Sequence, residues 1–448
     1  MSNNLRTLDL GVGLEPATLL ARLWPLHSEL MWLPGWGPEG CSVLAIRPVR
    51  TQAWGSDFRM EDLRKFRAQC LPSALDCDDA ILVGPCAGGI FGALSYEASF
   101  GLDRLRNMRN RSSLLPVARF AFHPVVLVYN PAHKSWSLCG QLDAYPKLAA
   151  QLRTDWQTAI DDTETQQSSE SYTAQFSPQV TAEQYGSWVM QARERIANGD
   201  IYQANLAHPI RVQGFEPLPH LFARIHQGNP SPWACLWKNP EITLLSNSPE
   251  LLLTLHGDNL VSQPIAGTRP RGVDDVSDQK LRRNLLRSPK ERAEHLMLVD
   301  LVRNDLGRVC VPGSVHVPLL MDREPYRNVT HIVSTIHGRL DPAYDVCDAL
   351  SALFPGGTIT GTPKLRSMEC IDALETHARG FYTGSLGWIN PCGDMAFNIL
   401  IRTLQLQEHT YGWTGELHVG AGIVADSNSL REYQETLHKA DAWKSVLL

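Results

Sequence analysis

The sequence predicts an α+β protein built mostly from antiparallel sheets. Short strand-like runs crowd the part before residue 160: "CSVLAIRPV", "GGIFGALSYE" and "FHPVVLVYN". Later, strands and helices mix without the regular strand–helix–strand alternation of a parallel sheet. With 448 residues the chain exceeds one ordinary core, so two domains or one large composite domain are expected.

The elements follow in order. Residues 1–160 form an N-terminal subdomain. The Ser/Gln-rich, apolar-poor stretch 161–180 reads as a polar linker, and 181–448 as a second, larger unit. Four helices are predicted in that unit. Residues 181–198 open with Thr181 and Gln184 in capping-box spacing, and Tyr185, Trp188, Val189, Ala192 and Ile196 form an apolar stripe. The segment "SPKERAEHLMLVDLVRNDLG" has Ser288 as N-cap, Pro289 at the first helical position and Gly307 past the end. A third helix opens at Thr362–Pro363 and closes at Gly380. The fourth starts near Ser429 with Glu432 in capping-box position. Between the last two, residues 382–406 read as a hairpin turning at Pro391–Asp394.

Composition excludes several classes. The formal net charge is −6, which favours neither nucleic acid nor an anionic membrane. No 18-residue apolar run could span a bilayer, and "MSNNLRTLDLGVG" has no signal-peptide apolar region. Ten cysteines without a CxxC pair read as reduced thiols in a cytoplasmic protein.

Two helices present carboxylate pairs. Glu291 and Glu294 are three residues apart, as are Glu432 and Glu435, so each pair shares a helix face. One reading is a solvated face, with Glu291 and Glu432 as cap residues and Glu435–Lys439 as an i,i+4 ion pair. The other is a hard oxygen site suited to magnesium, if the pairs face each other. On the last helix Leu430, Tyr433, Leu437, Ala440 and Trp443 form the apolar stripe. Possible anion donors are Arg402, sharing a strand face with Asn398 and Leu400, and the glycine turn "HVGAGIV" with Gly420, Ala421 and Gly422. His331, Tyr382 and Lys364 are further candidates. "GPCAG" at 84–88 matches a G-x-C-x-G elbow, but Pro85 and the absence of a companion α/β domain favour a structural turn.

From about residue 180 onward the chain resembles the chorismate-utilising enzymes, in the branch containing component I of aminodeoxychorismate and anthranilate synthases. The matching segments include "ANGDIYQANL", "SNSPELLL", "PIAGTRPRG", "VTHIVSTIHG", "FPGGTITGTPKLRSMECID", "NILIRTL", "GAGIVADS" and "REYQETLHKA", in family order. Before residue 160 the resemblance rests mainly on "GGIFGALSYE".

The resemblance implies two antiparallel sheets packed face to face with flanking helices, and an Mg2+-dependent site between them. Glu294 and Glu435 would be metal ligands supported by Glu291 and Glu432. Magnesium would grip the ring carboxylate of chorismate. Arg402, Tyr382 and the Gly420–Gly422 backbone would take the enolpyruvyl carboxylate. Glu250 would be the general acid at the C4 hydroxyl. His331 and Thr268 would sit by the ring, Thr358 near the substrate, and Lys439 beside the metal carboxylates. Gln203 stands where isochorismate and salicylate synthases have a water-activating lysine, which points to ammonia as nucleophile. A separate glutamine amidotransferase subunit would supply it.

Ala266 sharpens the question of product. Many aminodeoxychorismate synthases read PIKGT, with a lysine that adds covalently to C2; a methyl group cannot do so. Anthranilate synthases read PIAGT, as does a subclass of aminodeoxychorismate synthases in which ammonia itself adds at C2. "FPGGTITG", "GFYTGSLGW" and "AFNILIRT" resemble the folate-branch enzymes more closely, and "PLHSELMWL" replaces the LLES segment of the tryptophan-feedback site. The expectation is therefore 4-amino-4-deoxychorismate, by way of a noncovalent 2-amino-2-deoxyisochorismate. Anthranilate formation, isochorismate formation and a non-catalytic regulatory subunit are the alternatives.

Overall fold

A computed structural model describes residues 5–71, 83–102, 105, 115–162, 173–271, 274, 289–325, 327 and 329–447; the side chains of 268–270, 289–290, 325, 329, 442 and 445–446 lie outside that description. The described residues form two sheets, of twelve and ten strands, and their pairings are antiparallel.

The larger sheet runs Arg6–Val12, Ser135–Gly140, Val125–Asn130, Ser42–Ile46, Leu30–Leu33, Trp233–Lys238, Thr243–Ser248, Thr403–His409, Gly412–Ile423, Gln203–Gly214, Gly361–Thr362, with Gln175–Pro178 also on Gln203–Gly214. The smaller runs Ile265–Pro270, Val329–Arg339, Asn259–Gln263, Leu251–His256, Met395–Asn398, Ser385–Ile389, Gly89–Leu94, Ala118–His123, Arg50–Trp54, with His316–Pro325 also on Val329–Arg339. Each sheet thus joins one block of strands from before residue 160 to one block from the later part of the chain.

Strand alternation places the cores. In Gly89–Leu94, Phe91 and Ala93 face the larger sheet, packing with Met31, Val43 and Trp237. Ile90 and Leu94 face the other way, onto a core shared with the helices Met60–Cys70, Val346–Leu353 and Lys364–Leu374. The outer face of the larger sheet carries Pro16–Leu23, Pro146–Asp161, Leu218–Gly228 and Ser429–Leu447. The result is two sheets face to face with helices outside, as expected. Full burial of a side chain such as Phe91 contributes roughly 2–3 kcal/mol.

The first predicted helix spans Ala182–Ala197, and its capping box forms: Gln184 N donates to Thr181 Oγ1 (3.2 Å) and Thr181 N to Gln184 Oε1 (3.0 Å). The second spans Pro289–Gly307; Ser288 lies outside the described residues. The third stops at Leu374, short of Gly380, because Glu375 turns extended (φ −66, ψ 139) and sends its carboxylate to Arg379 and the Ala207 N–H. The last helix is capped by Asn428, whose Oδ1 accepts from Arg431 N at 3.1 Å, so Glu432 is not its capping-box residue. Its stripe also shifts: Leu430 is 59% exposed, while Thr436 takes a core position. The hairpin forms between Ser385–Ile389 and Met395–Asn398. Cys392 is disulfide-bonded, whereas eight other cysteines are free, which departs from the all-thiol expectation. Cys86 of "GPCAG" is buried in a short 3-10 turn, and burial pushes its thiol far above the ordinary range, as a structural turn requires.

Candidate active site

Two crossings between the sheets build the centre of the site. The chain passes from Thr243–Ser248 in the larger sheet to Leu251–His256 in the smaller, and Glu250 sits in that link. Residues 399–402 make the return crossing, from Met395–Asn398 to Thr403–His409. The crossings run side by side. Ile399 N donates to Glu250 O (3.0 Å), Asn247 N to Arg402 O (2.9 Å) and Ser248 Oγ to Ile399 O (2.6 Å). Arg402 is therefore not on a strand shared with Asn398 and Leu400. It takes a left-handed backbone, φ 50, where the chain changes sheets. A continuous β-prone run carries no mark of the point at which a chain leaves its sheet.

Glu250 is 3% exposed. Loss of solvation pushes its carboxyl up to about 7, against the smaller pulls of the neighbouring Thr358 side chain, the Ile265 N–H and the Arg402 charge. The Ile265 N–H donates to Glu250 Oε1 at 3.3 Å. A carboxyl in this range keeps a proton near neutral pH and can act as general acid. Beside it, Glu250, Thr358, Ser262, Pro264 and Asp305 help line a cavity of about 10 Å³, close to the room one water needs.

Ala266 and Gly267 lie on the strand paired to Val329–Arg339. Its register slips between Ala266, opposite Ile332, and Thr268, opposite His331, with Gly267 at φ 67 in the slip. A bulge needing a left-handed residue explains this glycine. The Gly267 backbone hydrogen-bonds the His331 ring. Burial and then Arg402 lower His331 to about 4, so its imidazole is neutral at pH 7. The Thr268 side chain lies outside the described residues.

A second half of the site faces the final strand. Gly420, Ala421 and Gly422 are not a turn: they lie in Gly412–Ile423, opposite Ala207, Leu206 and Asn205 of Gln203–Gly214. Pairing to Thr403–His409 ends at Leu417, since that strand begins only after the Arg402 crossing. Beyond Leu417 the edge on that side has no strand in register among the described residues, so alternate N–H groups face the gap next to Arg402. The backbone N–H groups expected on a glycine turn lie instead along a strand edge. A Cβ at Gly422 would come within 2.4 Å of Gln203 Nε2, so the glycine makes room for that amide; among the described residues Gln203 Oε1 is buried without a hydrogen-bond partner. Tyr382 is buried and stacks on His418 with ring centroids 5.3 Å apart; burial pushes its hydroxyl up to about 12.

The helical carboxylates border this region. Pro289–Gly307, carrying Glu291 and Glu294, packs on Ile265–Pro270, Val329–Arg339 and Gly361–Thr362, while Ser429–Leu447, carrying Glu432 and Glu435, packs on Gly412–Ile423. Glu435 pairs with Lys439 at 3.0 Å, and Lys439 Nζ also donates to Gly420 O at 2.8 Å, tying that carboxylate to the strand edge. Lys364 is not an anion donor for a ligand: it is buried against Asp305 Oδ2 (2.6 Å) and Leu353 O (3.2 Å). Asp305, Glu375, Arg379 and His418 had no local signal in the sequence. Glu375 and Arg379 form an i,i+4 pair of a kind common on surfaces, and the burial of all four comes from distant segments.

Residues 43–445 match the family of chorismate binding enzymes. The chain belongs to that family. It is 36% identical over 367 residues to aminodeoxychorismate synthase component 1 of Bacillus subtilis, covering 80% of this chain and 77% of the relative. It is 38% identical over 426 residues to an anthranilate synthase component 1 of Haloarcula marismortui, covering 91% and 84%. Among solved structures, anthranilate synthase component I of Streptococcus pneumoniae superposes with a TM-score of 0.76 at 27% identity, covering 92% of this chain and 93% of the other. The menaquinone-specific isochorismate synthase MenF of Escherichia coli shares the fold at 17% identity and a TM-score of 0.75, covering 100% and 95%. Chorismate-binding enzymes that make different products therefore share this scaffold, and this member is a chorismate-utilising enzyme. Among the described residues, no helix is long and apolar enough to cross a membrane.

Proposed function

We propose that this chain is the chorismate-aminating component of an aminodeoxychorismate synthase, taking ammonia from a separate glutamine amidotransferase subunit. One observation carries the choice of product: the three segments that lean toward these enzymes meet around Glu250. Ile399 shares the cavity wall with Gly356, Gly357 and Thr358. Thr383 N donates to Leu400 O (2.8 Å) and Leu400 N to Gly384 O (2.9 Å). Differences that set a product belong beside the reacting groups, and these lie close to the proposed acid Glu250.

In this reading ammonia adds to C2 of chorismate, the ring double bonds shift, and the C4–O bond breaks as Glu250 gives its proton to the departing hydroxyl, releasing water. A second ammonia then adds at C4 while the first leaves from C2, so the net change is hydroxyl for amine. Ala266 leaves C2 open because its methyl cannot attack. Gln203 cannot act as a base toward water, which disfavours isochorismate. Neutral His331 sits by the ring without adding charge beside Arg402. Arg402, Tyr382 and the free edge of Val419–Ile423 hold the enolpyruvyl carboxylate.

Glu294 and Glu435, supported by Glu291 and Glu432, would hold Mg2+. Among the described residues these carboxylates do not gather into a group of three or more that could hold a metal, but their chemistry suits this ion, which needs only one or two carboxylates plus waters and substrate oxygens. When bound it would grip the ring carboxylate and draw charge from the ring.

Anthranilate synthase is the second reading, favoured by Ala266 and by relatives of similar identity. Purified protein with chorismate, magnesium and ammonium chloride, with and without 4-amino-4-deoxychorismate lyase, separates the two. Lyase-dependent p-aminobenzoate supports the proposal; anthranilate regardless of lyase overturns it.

A further inference from the structure

Arg379 is buried to 2% exposure, in a turn beyond the helix end at Leu374. Its guanidinium reaches four separate pieces of chain. Nε and Nη2 donate to the two oxygens of Glu375 (3.0 and 2.7 Å). Nη2 also donates to Asn205 O (2.6 Å), while Nη1 donates to Ile359 O (3.0 Å) and Thr383 Oγ1 (3.2 Å). The guanidinium lies over the Tyr96 ring, 4.6 Å from its centroid.

The far ends of these bonds are the point. Asn205 is the register partner of Gly422. Ile359 follows Thr358. Thr383 follows Tyr382 and holds a left-handed backbone, φ 62, that a β-branched residue adopts only under constraint. Glu375 closes the frame by accepting the Ala207 N–H at 2.8 Å, opposite Gly420.

We infer that Arg379, locked by Glu375, is a positioning residue that sets Tyr382, Thr358 and the Gly420–Gly422 edge at one spacing, and thereby fixes affinity for the enolpyruvyl carboxylate. This rests on the assignment of that carboxylate under the proposed function. Arg379 itself has no donor left over for a ligand, since its N–H groups go to Glu375, backbone carbonyls and Thr383. A lysine offers no planar fork and cannot hold four pieces at once.

The test compares two probes by calorimetry in the magnesium-loaded protein: 3-methoxybenzoate, with the ring carboxylate alone, and 3-(1-carboxyvinyloxy)benzoate, with both carboxylates. Arg379→Lys is expected to lose at least tenfold in affinity for the dicarboxylate and to stay within twofold for the monocarboxylate. KM for chorismate should rise about tenfold while kcat changes less than threefold. Thr383→Ala removes one bond of the frame and should show the same selective loss, about threefold, with Thr383→Ser restoring it; this pair keeps the question open to test if Arg379→Lys fails to fold. Equal losses for both probes, or none, overturn the positioning role. A wild-type protein that does not prefer the dicarboxylate overturns the carboxylate assignment itself, and the inference with it.

Discussion

Arg402 Nη2 lies 3.4 Å from His331 Nε2, across the seam where the two sheets exchange chain. With the guanidinium permanently charged, a protonated imidazole at that distance would place two cations side by side. Burial lowers His331 first and Arg402 adds to it, so the pair is one cation and one neutral ring at neutral pH. Arg402→Gln should raise the His331 titration midpoint from about 4 toward its ordinary value without reaching it, because burial remains. An NMR titration of the imidazole reads this directly.

Glu250 sets an alkaline limb in the activity profile. Its carboxyl is raised to about 7, so the protonated, competent form dominates below that pH and is lost above it. At fixed free-ammonia concentration, kcat/KM should be level from about pH 5 to 6 and fall on the alkaline side with one midpoint near 7. Glu250→Gln should cost about 10²–10⁴-fold and erase that limb. A limb that persists in the variant would assign it to another group.

Ala266→Lys should produce no covalent adduct by mass spectrometry and no gain in turnover, because an amine must also be aimed at C2. Its neighbour is a sharper probe. Gly267 holds φ 67 at the register slip, so Gly267→Ala should destabilise by about 1–2 kcal/mol in denaturant unfolding. The His331 ring, which is bonded to that backbone, should move with it and activity should fall.

Glu435 is exposed and paired with Lys439, a geometry that adds little to stability. Glu435→Ala should therefore change unfolding free energy by less than about 1 kcal/mol, yet abolish turnover with ammonium and weaken magnesium binding in calorimetry. In the wild type, EDTA should stop turnover and added magnesium restore it. Activity surviving in Glu435→Ala would remove it from the metal site.

The Lys364–Asp305 pair makes a stability prediction. Both side chains are 7% exposed, so Lys364→Met, which removes a buried cation bonded to the aspartate, should cost about 3–5 kcal/mol. Lys364→Met with Asp305→Leu should recover much of the loss, because no charge is then left buried. Chemical denaturation of the three proteins is sufficient.

What could be read from sequence follows from how local each signal is. Thr181 and Gln184 declare a helix start within four residues, and the structure repeats it bond for bond. Glu250, Ala266, Arg402 and Tyr382 were legible as site candidates because each sits in a dense motif. Their placement was less so. Period-two alternation continues across a sheet change, so it puts Arg402 on a strand that the chain has already left. Glycine usually marks a turn, but at Gly420 and Gly422 it clears space beside Asn205 and Gln203. Arg379 gave no warning at all: within "THARGFYTG" it resembles any surface arginine, and only contacts with Asn205, Ile359 and Glu375 reveal it.

The paired crossings at 249–250 and 399–402 bear on how this scaffold can be re-engineered. Elsewhere, chemistry carried on a protruding loop can be transplanted by cutting the loop at its base. Here the acid and the arginine sit on chain that belongs to the architecture, stitched together by Ile399, Asn247 and Ser248. Exchanging either segment between relatives would tug on the seam that keeps the sheets aligned. A product switch would therefore have to come from side chains changed in place.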